Sequence, residues 1–244
     1  MATNPMHQFE VYRIGPEIKI GTLNLSFTNA SLFMAFSSIA ILLILFLGTK
    51  KRSLIPSKVQ FITEMTYTFV AKMISDTAGP SARPFFPFIF TLFMFVLFCN
   101  MVGMLPYSFT VPSHIIVTFM FATIVFVGVT IIGFIKHGIR YLELFVPKGV
   151  PVVLLPLIVI IEIISYLSRP VSLSVRLFAN MMAGHTMLKV FGGVVISLGL
   201  LGGWLPLSFS VALTGLEILV AFLQAYVFAI LTCIYLNDAL NLHH

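Results

Sequence analysis

Apolar positions in this chain come in long unbroken runs, not in alternation. Three runs, at about 29–48, 84–105 and 114–135, are each some 20 residues long. That is the length a helix needs to cross a hydrocarbon layer about 30 Å thick. The first stops at Lys50-Lys51-Arg52 and the second at Pro106. Between them, residues 56–79 scatter Lys58, Glu64, Lys72 and Asp76 among apolar neighbours. Such mixing predicts an amphipathic helix lying on a membrane surface, and Gly79-Pro80 ends it. After the third run, Lys136, Arg140 and Lys148 mark a helix-like link at 138–149.

The rest of the chain admits two readings. Residues 151–198 contain no clear turn signal. Read by hydropathy, they hold two spans with a polar break at 169–185, giving six spans and an external C-terminus. Read as one helix of about 48 residues, they reach roughly 70 Å, more than twice the hydrocarbon thickness. That helix must be strongly tilted, or kinked, with Pro170 as the plausible kink. Residues 199–206, Gly-Leu-Leu-Gly-Gly-Trp-Leu-Pro, would then form a turn, and 207–238 a second long helix. This version has five spans and an internal C-terminus.

Composition narrows the class. Of 244 residues, 59% are hydrophobic and only 9% charged, with a mean hydropathy of +1.07. A soluble domain carries about 25% charge. The chain is therefore predicted to be an all-α integral membrane protein, not a soluble enzyme, a disordered regulator or a secreted disulfide module. A β-barrel would show short alternating segments. The net charge of +6 does not point to nucleic acid, because most Lys and Arg residues sit where cytoplasmic loops should be. Nine of them (50, 51, 52, 58, 72, 83, 136, 140, 148) fall on one side and two (13, 19) on the other. The positive-inside rule then places the N-terminal segment, 1–27, outside and the 136–150 link in the cytoplasm. The first 25 residues hold Glu10, Arg13, Glu17 and Lys19 and no apolar signal core. Cys99 and Cys233 lie inside apolar stretches without metal-like spacing, so both read as packing residues.

A few polar residues remain at membrane depth: Glu162, Arg169, Arg176, Asn180, His185, Lys189, Glu217 and Gln224. An arginine at mid-bilayer costs about 2.5–3.5 kcal/mol on insertion scales, so such groups face a partner or a water-filled path. At 100° per residue, Glu162, Arg169, Ser172, Arg176, Asn180 and Ala183 share one helix face. Ser165, Ser172, Ala179 and Ala183 make that face small, which suits another helix passing closely. His185, nine residues beyond Arg176, points to the opposite side. Folding the hairpin about residue 202 brings His185 level with Glu217 and Arg176 roughly level with Gln224. An acid and an imidazole so placed can exchange a proton near neutral pH, or form a buried structural pair.

The segment Arg176-Leu177-Phe178-Ala179-Asn180-Met181-Met182-Ala183-Gly184-His185, preceded by Pro170-Val171-Ser172-Leu173, resembles the signature of subunit a of the F-type ATP synthase membrane sector. The likeness continues through Glu217, Leu223-Gln224-Ala225-Tyr226 and Tyr235-Leu236-Asn237-Asp238, and upstream through 100–106 and Ser113-His114. It covers effectively the whole chain. It implies five spans, the last two a long tilted hairpin against a ring of c subunits, and it favours the five-span reading. It also implies a b-subunit peripheral stalk as partner, the lipid bilayer as surroundings and protons as the translocated species, with no cofactor. The arginine is the family's indispensable residue, here Arg176. The positions of His185 and Glu217 carry the opposite residue types in many bacterial members; here the two are exchanged, as in mitochondrial-type relatives. Some members have an acid where this chain has Gly103.

The roles the resemblance implies are two water-lined half-channels. His185, Glu217, Asn180 and Gln224 would line the outer one, and Ser172 and Glu162 the cytoplasmic one, with Arg176 between. The resemblance implies no catalytic site in this chain. A bacterial plasma membrane is the expected location, with the mitochondrial inner membrane as the alternative. The rival class is a secondary ion-coupled transporter, but no repeat between the halves supports it. Neither His-Glu-x-x-His nor Gly-x-Ser-x-Gly is present to suggest a membrane-embedded enzyme.

Overall fold

The structure is a computed structural model that describes residues 9–15, 19–20, 23–24, 26–50, 55–105, 108–146 and 154–241. Parts of the expected N-terminal segment and link, with Lys51, Arg52, Pro106 and Lys148, lie outside the described residues. Six α-helices follow in order: α1 Asn29–Lys50, α2 Lys58–Ala78, α3 Phe86–Gly103, α4 Ile115–His137, α5 Leu155–Gly202 and α6 Trp204–Leu240. Short 3-10 segments, Pro80–Phe85, Val111–Ser113 and Gly138–Phe145, connect them. A two-residue antiparallel pair joins Lys19–Ile20 to Leu23–Asn24. Five helical segments are long and apolar enough to cross a membrane, α2 being left out. The chain is thus an all-α membrane protein.

The stretch read as either two spans or one is a single helix, α5. Pro170 lies inside it without breaking it; the residue with non-helical dihedrals is Gly199, at φ 62° and ψ −161°. That left-handed φ is open to glycine at no steric cost. The break comes at Gly199, where the expected 199–206 turn begins, and the connection is shorter than expected only at its far end, because α6 starts at Trp204. Pro206 sits in the first turn of α6, where its missing N–H has no intrahelical partner to lose.

Helices α3 and α6 pack closely through short side chains. Ala221, Ala225, Ala229 and Cys233 recur every four residues along α6, each 0% exposed. These short side chains let α3 approach and seat Ile89, Phe93, Val96 and Cys99, all 1% exposed or less. Helix α2 carries a buried row of Val70, Met73, Ile74 and Ala78. Its Ser57 cap accepts from Gln60 N. Phe69 of α2 meets Phe93 of α3 and both Phe222 and Tyr226 of α6. Helix α4 packs on the other side of the hairpin, and Lys136 Nζ and His137 Nε2 bond the Leu240 carbonyl at 2.9 and 3.2 Å. These contacts cap the C-terminal end of α6.

Candidate functional site

Helix α5 separates two chemistries. On its inner side His185 Nδ1 is hydrogen-bonded to Glu217 Oε1 of α6. On the far side of the same imidazole, Nε2 lies 2.9 Å from the carbonyl oxygen of Gly103, at the end of α3. A carbonyl oxygen can only accept, so Nε2 carries a hydrogen. Nδ1 is then either an acceptor from a protonated Glu217 or, in the imidazolium, a donor to the carboxylate. Both arrangements hold one proton between the two residues. The two side chains are only 10% and 5% exposed, so the proton they hold is shielded from bulk solvent.

Two glycines make room for this contact. A Cβ at Gly184 would stand 2.6 Å from Glu217 Oε1, so a side chain there would push the carboxyl away. A Cβ at Gly103 would stand 2.9 Å from Thr110 Cγ2. An acidic side chain at 103 would have to displace Thr110, which accounts physically for its absence from this chain. Asn100, one turn before Gly103, donates from Nδ2 to the Ala221 carbonyl at 3.0 Å. Asn100 Oδ1 and Glu217 Oε2 are buried without a hydrogen-bond partner among the described residues. Both can accept from water or a hydrated proton.

The opposite side of α5 differs. Arg176 is exposed, together with Ser172, Ala179 and Ala183. Among the described residues no hydrogen bond or ion pair engages Arg176. Asn180 is half-buried and Gln224 buried, at 9% exposure, and Gln224 is not bonded to Arg176. Glu162 is half-buried, 23 residues before His185 on the same helix, or about 34 Å along it. The structure therefore groups His185 with Glu217, sets Arg176 and Ser172 on an outward face, and leaves Glu162 remote.

Sequence reasoning missed three participants. Asn100 and the Gly103 carbonyl come from α3, whose azimuth no pattern revealed. The third is Asp238, which pairs with Arg169 at 3.1 Å, Nη1 to Oδ2. Its signal was available: residues 169 and 238 lie 33 before and 36 after residue 202.

Comparison with known proteins now decides the family. Residues 31–237 match the family described as ATP synthase A chain. The chain belongs to that family. It is 80% identical to ATP synthase subunit a of Pelagibacter ubique (strain HTCC1062) over the full length of both chains. It is 59% identical, again over the full length of both, to ATP synthase subunit a of Chelativorans sp. (strain BNC1). The Parvibaculum lavamentivorans protein of the same description is 58% identical over 99% of this chain and 95% of its own. As an ATP synthase A chain, the protein is a multi-pass subunit of the F-type membrane sector, and the secondary-transporter alternative is dropped.

Proposed function

We propose that the protein is the stator element that passes protons to and from the carboxylates of a c-subunit ring. The observation that carries this reading is the division of α5: a hydrogen-bonded His185–Glu217 pair on one side and an exposed Arg176, unpaired among the described residues, on the other. A ring carboxyl facing lipid is neutral, because an isolated charge there is costly. Beside Arg176 it ionises, because the opposite charge stabilises the anion. Protons arrive from the outer side through His185, Glu217, Asn180 and Gln224, with the open acceptors of Asn100 and Glu217 as further stations. The neutralised carboxyl turns into lipid and later gives its proton to the cytoplasm past Ser172 and Glu162.

Arg176 suits its place because arginine does not deprotonate at working pH and holds carboxylate with a planar fork. It attracts the ring and blocks direct flow between the half-channels. Each proton crossing gains about 2.3 kcal/mol per 100 mV, so rotation must gather several per ATP. In this reading the chain has no catalytic site of its own and meets the b-subunit stalk elsewhere on its surface. It sits in a bacterial plasma membrane with its N-terminus outside and its C-terminus cytoplasmic.

The test uses the whole complex in membrane vesicles. Arg176→Ala abolishes proton-driven ATP synthesis while ring and stalk still co-purify; normal synthesis would overturn the reading. A cysteine placed at Asn241 reacts only with reagent applied from the cytoplasmic side.

A further inference from the structure

The proton path leaves one charged cluster unused. Arg169 precedes Arg176 by two helical turns on the same face of α5, about 10 Å along the axis. Its Nη1 donates to Asp238 Oδ2 at 3.1 Å. Its guanidinium carbon lies 5.3 Å from the ring centre of Tyr166 and 4.9 Å from that of Tyr235. The clamp is anchored in turn. The Tyr166 hydroxyl is hydrogen-bonded to Thr130 Oγ1 at 2.6 Å and to the Tyr141 hydroxyl at 3.1 Å. Lys136 and His137 hold the Leu240 carbonyl, two residues beyond Asp238. Helices α4, α5 and α6 thus all contribute to keeping this one arginine in place.

Two permanent cations this close would both attract an anion moving along the face. At about 10 Å, and with little water between, their fields overlap. Arg169 cannot be silenced by losing its proton. A fixed carboxylate can cancel its charge locally, and the aromatic faces hold the guanidinium to that carboxylate. Arg176 has neither an ion pair nor a hydrogen bond among the described residues. Lys189, the remaining cation in the middle of α5, points about 140° away from Arg176.

We propose that Asp238, with Tyr166 and Tyr235, sequesters Arg169 so that a travelling carboxylate meets a single uncompensated arginine. The inference rests on the proposed function, since it needs a ring carboxylate to pass this face. Asp238 is then a positioning residue that acts through Arg169. Freed from it, Arg169 becomes a second trap that holds the ionised carboxylate short of release and slows rotation in both directions.

The experiment measures ATP-driven proton pumping by the whole complex in inside-out vesicles, with assembled complex quantified alongside. Asp238→Asn is expected to lower pumping about tenfold with the complex intact. Asp238→Glu keeps the anion and retains most of the activity. The double variant Asp238→Asn with Arg169→Gln removes the freed cation and restores pumping toward the native rate. Normal pumping by Asp238→Asn would overturn the inference. So would loss of the assembled complex, or equal impairment of the single and double variants, because the pair would then be only structural. Arg176→Ala in the same vesicles separates the two ideas: if it pumps, the proposed function fails; if it is inactive while Asp238→Asn pumps, only the sequestration fails.

Discussion

Helices α5 and α6 are joined by two acid–base pairs, and the two are built to opposite ends. At His185–Glu217 the base is an imidazole, which can gain or lose a proton, the carboxyl keeps an oxygen unpartnered among the described residues, and both side chains are at most 10% exposed. At Arg169–Asp238 the base never gives up its proton, aromatic rings cover it, and the side chains are 20% and 32% exposed. The first can pass a proton without moving atoms far. The second can only hold a charge still. The lesson is that an ion pair between two helices says nothing of its task until the donor's ability to titrate and the saturation of the acceptor are both known.

The comparison can be broken most severely at the first pair. Glu217→Gln keeps the shape and removes the acid, so proton uptake falls by about 10²-fold or more while assembly is largely kept. Pumping and synthesis in vesicles, with co-purification of the ring, measure this; assembly lost before transport would make the pair structural. Gly184→Ala tests the same contact through volume alone. A Cβ 2.6 Å from Glu217 Oε1 forces the carboxyl aside, and misfits of this kind cost about 1–3 kcal/mol. Pumping should fall roughly tenfold, with no change in charge. At the second pair, Tyr166→Phe removes the hydrogen bonds to Thr130 and Tyr141 and lowers the stability of the complex by about 1 kcal/mol. Its pumping stays close to native, because the ring over Arg169 is kept.

The smallest effect belongs to His114. It stacks on Phe109 at 5.1 Å, and its Nε2 is buried without a partner among the described residues. Burial lowers its pKa from the ordinary value of 6.5, against a backbone hydrogen bond at Phe9 that acts to raise it. The folded state therefore favours the neutral ring. Its contribution is fully present above 6.5 and is lost as pH falls through the lowered value. Acidifying to about pH 5 should loosen the 9–15 segment slightly, seen as weaker amide-exchange protection there, relative to the intrinsic rate at each pH, than at pH 7.5.

Much of the site could be read from the chain alone. Helical phase set His185 opposite Arg176, and counting outward from residue 202 put His185 level with Glu217. Both inferences need only 1.5 Å and 100° per residue. The same count reaches Arg169 and Asp238, but level is not azimuth, and which faces meet depends on the Gly199 elbow and on how closely α6 approaches its neighbours. The turn begins at Gly199 as the pattern implies, but its end falls earlier than 206, because helical geometry is regained by Trp204. Asn100 enters the resemblance only within 100–106, since nothing in the sequence of α3 says which of its residues faces α6.

One of the two groups that orient His185 is not a side chain. The Gly103 oxygen belongs to the backbone, so every substitution at that position keeps it. A mutational survey scoring the importance of each position would find 103 sensitive only to size, through Thr110, and would credit it with no electrostatic part. The choice of which imidazole nitrogen bears the hydrogen is thus written in the path of the main chain, where no single codon can erase it.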